Sequence, residues 1–314
     1  MARLSSNRYE ILTDSIMSQL QKKGIYTDFD FMEKAVDTLV NVSGLSFKTV
    51  VDLRKEISKS VGGKIIDASK LIEEDSTKIV STGIFSLDKL LNGGLHSKQL
   101  YEICGASSSG KTQLCLTIAT NISLRTEKDV HYIDTKGYLS TIRMQTILNA
   151  QKCNDEEIGR VLNKMKITEA RSIPEFFSIV HKLTKTLKNE SNTRLLVIDS
   201  LAALFFLSTS KHETIYFLSN LRNMLRFIAS EYNISIITTN LVTSWNEETA
   251  IFLKNGVNIK SLKPTLGKFW LRIPNTRLLI DRKENEERHV TVWKSCDLQI
   301  GTSCAIKITY DGIS

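Results

Sequence analysis

The 314-residue sequence predicts an α/β fold, in which a mainly parallel sheet flanked by helices follows a small all-helical domain. From residue 81 onward, short apolar runs alternate with helical patterns, as expected for a parallel sheet covered on both faces. A glycine-rich turn joins one of these runs to the helix that follows it. Residues 1–61, in contrast, show only helical spacing of their apolar positions.

The domain boundaries follow from changes in composition along the chain. The N-terminal helical domain is predicted at residues 1–61, with Ser46 as the N-cap of one helix. Residues 62–80 begin with two glycines and continue as a polar, charged stretch, so we expect a linker there. The α/β core is predicted to occupy residues 81–314.

The strands of the core are predicted from short apolar runs. Those flanked by helical patterns lie at residues 100–104, 130–133, 195–198 and 234–238. One of the intervening helices is predicted at residues 217–228. The runs at 277–281, 289–294 and 305–309 have no helix between them. We therefore expect these last strands to pair antiparallel at one edge of the sheet.

Composition and charge narrow the class of protein. No apolar run reaches the ~18 residues of a membrane-spanning helix, and no apolar leader is seen at the N-terminus, so we expect no membrane partner. The five scattered cysteines include no C-x-x-C pair, which argues against zinc and disulfides. The net charge of +8 suggests nucleic acid. Residues 254–294 hold ten Lys or Arg and four Asp or Glu, a net +6.

A phosphate-binding loop is predicted between the first core strand and the next helix, where the pattern G-x-x-x-x-G-K-[ST] matches in full. Backbone N–H groups of such a loop point at phosphate oxygens. Lys111 is predicted to reach the β- and γ-phosphates, and Thr112 to offer its hydroxyl to Mg²⁺. The predicted cofactor-binding residues of the loop are Gly105, Ala106, Ser107, Ser108, Ser109, Gly110, Lys111 and Thr112. The alternative is a Gly/Ser-rich turn that caps a helix.

A second acidic element is predicted at Asp199, which ends the apolar run at residues 195–198. Parallel sheets place ligands at the carboxyl ends of their strands. We therefore expect Asp199 to hold Mg²⁺ through water. The alternative is an Asp that only caps the following turn.

The order of these segments resembles the RecA-type recombinase core of eukaryotes over residues 81–314. The matching segments are Ser-Thr-Gly at 81–83, LDKLL at 87–91, GGL at 93–95, the phosphate loop, YID at 132–134, VIDS at 197–200, TTN at 238–240, KPTLG at 263–267 and NTRL at 275–278. Within that family the chain is most similar to the D-type recombinase paralogue branch. The resemblance implies a RecA-like P-loop ATPase core, with ATP and Mg²⁺ as cofactors.

Two departures from the family pattern concern hydrolysis. The resemblance implies a catalytic Glu two residues after Asp134, but Lys136 stands there. A lysine is protonated near neutral pH and does not act as the base that orients water. The resemblance also implies a γ-phosphate-sensing Gln after Asn240, where this chain has Leu241. We therefore predict ATP binding with slow hydrolysis at best, and assign no catalytic residue.

Contacts with adenine and DNA are also expected. Arg143 is implied by the resemblance to stack on adenine; the alternative is a solvated helical arginine. The loop at 241–264 combines an aromatic residue with lysines, which suits base stacking and phosphate contacts to single-stranded DNA. The predicted DNA-binding residues are Trp245, Lys254, Lys260 and Lys263. Alternatively, the tryptophan packs in the core and the lysines form a solvated face.

The leading interpretation is a nuclear, ATP-binding recombinase paralogue that promotes homologous recombination repair of DNA double-strand breaks. The resemblance implies a hetero-complex with other paralogues, bound to single-stranded DNA, that assists the main recombinase filament. Residues 65–68 (Ile-Ile-Asp-Ala) weakly match the F-x-x-A motif by which active recombinases dock on a neighbour; linker packing explains them as well. The alternatives are a self-polymerising strand-exchange ATPase and a RecA-fold helicase-like motor. Mitotic, meiotic and telomeric roles stay open.

Overall fold

The computed structural model describes residues 3–6, 8–61, 67–70, 72, 78–189, 192–205, 211–244, 262–283 and 286–313. The chain divides into two compact units, Met1–Leu71 and Ile72–Ser314. The domain bounds expected from the sequence stay a prediction, because much of the linker at 62–80 lies outside the described residues. Within the described part of the chain, no helix is both long and apolar enough to cross a membrane.

The first unit is helical, as predicted. Its helices are α1 (Asp14–Lys22), α2 (Asp28–Glu33), α3 (Val36–Ser43) and α4 (Phe47–Val61). Each helix contributes at least one fully buried apolar residue to a shared core, for example Leu20, Phe31, Leu39 and Leu53. The hydroxyl of Ser46 accepts a 3.1 Å hydrogen bond from the amide of Thr49, which confirms Ser46 as the predicted N-cap of α4.

The second unit alternates strands and helices up to its C-terminal strands. Its strands are β1 (Ile79–Val80), β2 (Leu95–His96), β3 (Leu100–Gly105), β4 (Asp129–Asp134), β5 (Met165–Glu169), β6 (Thr193–Asp199), β7 (Ser235–Ser244), β8 (Leu262–Pro264), β9 (Thr276–Arg282), β10 (Glu287–Lys294), β11 (Ser303–Thr309) and β12 (Gly312–Ile313). Its helices are α5 (Phe85–Leu90), α6 (Lys111–Thr126), α7 (Thr141–Ala150), α8 (Asp155–Lys164), α9 (Ile173–Asn189), α10 (Leu201–Phe205), α11 (Lys211–Tyr232) and α12 (Gly267–Trp270). β1 and β2 pair with each other, apart from the main sheet.

The main sheet has the order β12-β11-β10-β9-β3-β7-β6-β4-β5, with β8 paired to the end of β7. The pairs from β9 to β5 are parallel. β10, β11 and β12 continue the sheet beyond β9 as antiparallel strands. The predicted fold class, a mainly parallel sheet with an antiparallel C-terminal edge, is therefore confirmed. The structure adds three strands to this sheet that were not predicted from the sequence, β5, β8 and β12.

Helices cover both faces of the sheet because alternate strand residues point to opposite sides. On β6, Leu195 and Val197 pack into the apolar cluster that contains α6. Leu196 and Ile198 pack into the cluster that contains α9 and α11. This double coverage leaves the carboxyl ends of the parallel strands as the place where polar residues gather.

Candidate functional site

The predicted phosphate loop is the turn that joins the end of β3, at Gly105, to the start of α6, at Lys111. A Cβ atom added to Gly105 would lie 2.6 Å from the carbonyl oxygen of Ile280 and 2.5 Å from the hydroxyl of Ser109. Gly110 has a φ of +108°, which favours glycine. Both glycines of the motif are therefore required by the backbone path of the loop.

The C-terminal strands form a wall behind the loop. The guanidinium Nε of Arg288 on β10 donates a 3.0 Å hydrogen bond to the carbonyl oxygen of Ser109. Ile308 on β11 lies against Gly110, where an added Cβ would collide with its Cδ1. Both the loop and its wall belong to the second unit, so the loop's shape depends on residues far downstream in the sequence.

The buried position of Arg288 corrects the interpretation of the basic segment at 254–294. Arg288 and Arg277 are each only 4% exposed, although both were counted in its surplus of positive charge. Each arginine contacts polar groups inside the second unit. Two of the ten cations in that segment therefore belong to the interior and not to a nucleic-acid-binding surface.

The ammonium group of Lys111 points into the loop. It donates hydrogen bonds of 3.0 Å to the carbonyl oxygen of Gly105 and 2.6 Å to that of Ala106. Burial, together with the positive charge of Lys136, lowers the pKa of Lys111 to about 8. The side chain of Thr112 is half-buried at the next position. The predicted phosphate-binding residues thus lie together at the carboxyl end of β3.

Asp199 ends β6 as predicted, and its carboxylate is held by residues of the two neighbouring strands. Thr239 on β7 donates a 2.6 Å hydrogen bond to Oδ1, and the hydroxyl of Tyr132 on β4 donates a 3.0 Å bond to Oδ2. Burial and the negative charge of Asp199 raise the pKa of Tyr132 well above its ordinary value, so the phenol stays a donor. Both partners lie in segments that match the family, Tyr132 in YID and Thr239 in TTN, but their contacts with Asp199 were not predicted from the sequence.

Lys136 extends from the end of β4 toward the same carboxylate. Its Nζ lies 4.0 Å from Oδ1 of Asp199, and its side chain is 29% exposed. Since β4 and β6 are adjacent parallel strands, their carboxyl ends bring the two residues together. The residue in the expected Glu position therefore places a cation, not a carboxylate, at the site.

A buried polar network links β3 to the strands and the helix that flank it. Glu102 is fully buried and forms an ion pair with Arg277 on β9. Its Oε1 accepts 2.8 Å hydrogen bonds from the side chains of Asn240 on β7 and Trp270 on α12. The sequence placed Asn240 in the TTN segment and before the missing sensor Gln; its contact with Glu102, three residues before the phosphate loop, was not predicted.

Arg143, predicted to stack on adenine, lies on α7 beside the start of α6. Its Nε donates a 2.9 Å hydrogen bond to Oε1 of Gln113, and its Nη2 donates a 2.7 Å bond to the carbonyl oxygen of Thr309. The guanidinium carbon lies 6.0 Å from the ring centre of Tyr310. Arg143 is thus near the phosphate loop but held by protein groups, and its adenine contact stays a prediction.

The predicted DNA-binding residues lie mostly outside the described part of the chain. Trp245, Lys254 and Lys260 all fall there, as does most of the loop at 241–264. Lys263 is described and is an exposed residue of β8. Residues 65 and 66 of the weak docking motif are also outside the described residues. These predictions therefore stay predictions.

A phosphate loop at the end of β3 and an aspartate at the end of β6, with β7 between them, define a P-loop nucleotide-binding protein with a RecA-like core. The comparisons with known proteins agree. The chain belongs to the Rad51 family, which it matches over residues 73–314.

Relatives with curated descriptions cover most of the chain. It is 31% identical to DNA repair protein RAD51 homolog 4 of Bos taurus, over 87% of this chain and 83% of that protein. It is 28% identical to the meiotic recombination protein DMC1 homolog of Glycine max, over 95% of this chain and 86% of that protein. It is 25% identical to DNA repair protein RAD51 homolog 2 of Homo sapiens, over 90% of this chain and 82% of that protein. The predicted membership of the eukaryotic recombinase family is thereby confirmed.

Proposed function

We propose that this chain is an ATP-binding recombinase paralogue that promotes homologous recombination repair of DNA double-strand breaks and hydrolyses ATP slowly. The main support is the site at the ends of β3, β4 and β6. A complete phosphate loop with Lys111 shares a sheet edge with Asp199, while Lys136 occupies the place expected for a catalytic carboxylate. The names of the relatives, which refer to DNA repair and meiotic recombination, support the biological role.

The residues of the site fit an ATP–Mg²⁺ complex. Mg²⁺ prefers oxygen ligands and is held mainly by substrate phosphates, with one or two protein groups. Thr112 offers a hydroxyl, and Asp199 offers a carboxylate already oriented by two hydrogen bonds. Within the described residues, no cluster of three or more His, Cys, Asp or Glu could hold a metal alone. When bound, Mg²⁺ would neutralise phosphate charge beside Thr112 and Asp199.

Slow hydrolysis follows from what the site's own residues can do. A positioned general base contributes about 10²–10⁴-fold to a rate. The Lys136 ammonium lies near Asp199 as a donor and a cation, so it accepts no proton from water. Leu241, beyond Asn240 on β7, carries no hydrogen-bonding side chain. We therefore assign the chain phosphate binding and orientation, without the parts for rapid turnover.

The first prediction concerns turnover. We expect the purified chain, with ATP, Mg²⁺ and single-stranded DNA, to hydrolyse ATP at least about 100-fold more slowly than a recombinase with the catalytic Glu, because the general base is missing. The measurement is phosphate release under saturating ATP, alone and with partner paralogues. Lys111→Ala is the control that removes any turnover belonging to this site. A rate equal to that of an active recombinase, and lost in Lys111→Ala, would refute slow hydrolysis.

The second prediction concerns DNA. If Lys254, Lys260 and Lys263 each contact one phosphate, the affinity for single-stranded DNA should fall roughly 20-fold between about 50 and 200 mM salt, given a slope near −0.7 per contact. Replacing all three lysines with glutamine should flatten this dependence. Fluorescence anisotropy with a labelled oligonucleotide of mixed sequence measures the salt dependence of DNA binding for the parent and for the triple variant.

A matched control for the DNA experiment comes from α9. Lys182, Lys185 and Lys188 are exposed lysines of that helix, and their replacement by glutamine makes the same change in net charge. We expect this triple variant to keep the salt dependence of the parent. If both triple variants weaken DNA binding equally, binding depends on total charge and the proposed loop contact is wrong.

The proposed partners are other recombinase paralogues, in a nuclear hetero-complex that assists the main recombinase filament on single-stranded DNA. Head-to-tail contacts of RecA-like subunits can propagate, so electron microscopy with ATP and DNA tests this proposal. We expect no regular filament from this chain alone. Regular filaments would favour the self-polymerising strand-exchange ATPase instead.

A further inference from the structure

The side chain of Lys136 is part of the nucleotide site and is not a charge on its rim. Its ammonium group lies 4.0 Å from Oδ1 of Asp199, a residue that is itself only 3% exposed. The exposed fraction of the Lys136 side chain is 29%, although lysines are mostly solvated. The charge is thus held near the position that a phosphate-bound Mg²⁺ would approach.

The backbone of Lys136 is fixed by the preceding aspartate. Oδ1 of Asp134 accepts hydrogen bonds of 2.8 Å from the amide of Lys136 and 3.0 Å from that of Gly137, and Oδ2 accepts one of 2.8 Å from Leu139. Thr135 donates its amide to the carbonyl oxygen of Asp199 at 2.9 Å. The segment that carries Lys136 is therefore fixed by hydrogen bonds within residues 134–139 and by a hydrogen bond to the end of β6.

The charges at this sheet edge balance because Lys136 is present. Asp134 and Asp199 are both buried carboxylates; the oxygens of Asp134 accept from three backbone amides, while Asp199 lies 4.0 Å from the ammonium group of Lys136. The charge of Lys136 is also felt at Lys111, where it adds to the effect of burial in lowering the pKa. Lys111 and Lys136 thus offset Asp134 and Asp199, whereas a glutamate in place of Lys136 would leave this edge with a net negative charge. An edge without net negative charge does not repel the metal-free triphosphate, which carries more negative charge than ATP–Mg²⁺.

We infer that Lys136 is an internal counter-cation for the triphosphate, which lets this chain retain ATP with little dependence on Mg²⁺. This inference rests on the proposed binding of ATP. It concerns which cation balances the charge of the bound triphosphate. Lys136 screens Asp199 from the phosphates when Mg²⁺ is absent, and competes with Mg²⁺ when it is present. Lys136 is accordingly a specificity-determining residue of the site and takes no part in bond breaking.

The third prediction tests this role by binding alone. The ratio of the ATP dissociation constant in EDTA to that in Mg²⁺ is measured by calorimetry for the full chain. We expect the ratio to rise at least about tenfold in Lys136→Gln, because metal-free ATP loses its second cation and Asp199 is left to repel it. Lys136→Arg keeps the charge and should keep the ratio of the parent.

Lys166→Gln is the matched control, since it makes the same charge change on the adjacent strand β5. In the parent chain the ammonium group of Lys166 donates a 2.9 Å hydrogen bond to the carbonyl oxygen of Asn163, away from Asp199. An unchanged ratio in Lys136→Gln, with folding confirmed by thermal melting, would overturn the inference while leaving ATP binding intact. A parent chain that binds ATP in neither buffer would overturn the proposed function as well.

Discussion

Replacing Lys111 with alanine is expected to weaken ATP binding by about 100-fold or more, since charge-assisted hydrogen bonds to phosphate are among the strongest in proteins. Lys111 is only 5% exposed at the start of α6, and its ammonium group donates to carbonyl oxygens of the loop. Truncation removes the loop's own cation and leaves Lys136 alone to balance the phosphates. Calorimetric titration with ATP in Mg²⁺ measures the loss.

The control for Lys111→Ala must show that the loop still folds, because the lysine also donates to Gly105 and Ala106. Thermal melting without nucleotide serves this purpose, with Lys166→Ala as a variant that alters charge outside the site. An Ala variant that melts like the parent and binds ATP with the parent's affinity would show that this motif is only a turn capping α6. That outcome would also remove the basis of the proposed function.

Replacing Glu102 with alanine is expected to destabilise the second unit by about 3–5 kcal/mol, the usual cost of removing one partner of a buried ion pair. The loss leaves Arg277, a residue that is only 4% exposed, without its anion. It also removes the acceptor for the side chains of Asn240 and Trp270. For a unit of this size, the melting temperature should fall by about 10 °C.

The matched control for Glu102 is Glu169→Ala on β5, where the ion pair with Arg171 is exposed. Exposed pairs contribute little to stability, so this variant should melt close to the parent. A double variant, Glu102→Leu with Arg277→Leu, should lose less than Glu102→Ala, because no buried charge remains without a partner. Equal melting temperatures for Glu102→Ala and Glu169→Ala would refute the importance of the buried network.

The strands could be predicted wherever burial leaves a run of apolar residues in the sequence. The runs that became β3, β4, β6 and β7 are apolar because both faces of these strands are covered. β5 was missed because four of its five residues are exposed, and the alternation of Met165 and Ile167 with polar residues is too short to stand out. Its pairing with β4 is a property of the backbone and of chain topology, which composition does not reveal.

The candidate site was predictable only as far as its motifs extend. The phosphate loop and Asp199 are local patterns, and the structure places both at the same sheet edge. The approach of Lys136 to Asp199 depends on β4 and β6 being neighbours, which separation along the chain conceals. The same is true of Glu102 and Arg277, which lie 175 positions apart. Contacts of this kind leave no local signal in one sequence.

The packing of the phosphate loop against the C-terminal strands constrains when the site can form during synthesis. Ser109 and its partner Arg288 are separated by 179 positions. At roughly 5–20 residues per second, translation covers that interval in roughly 10–40 seconds. For that time a growing chain contains the complete motif but lacks the wall that shapes it. A truncated product ending before β10 would keep every residue of the loop and yet have no finished pocket. During synthesis, the chain therefore contains the phosphate-loop motif before it is able to hold ATP.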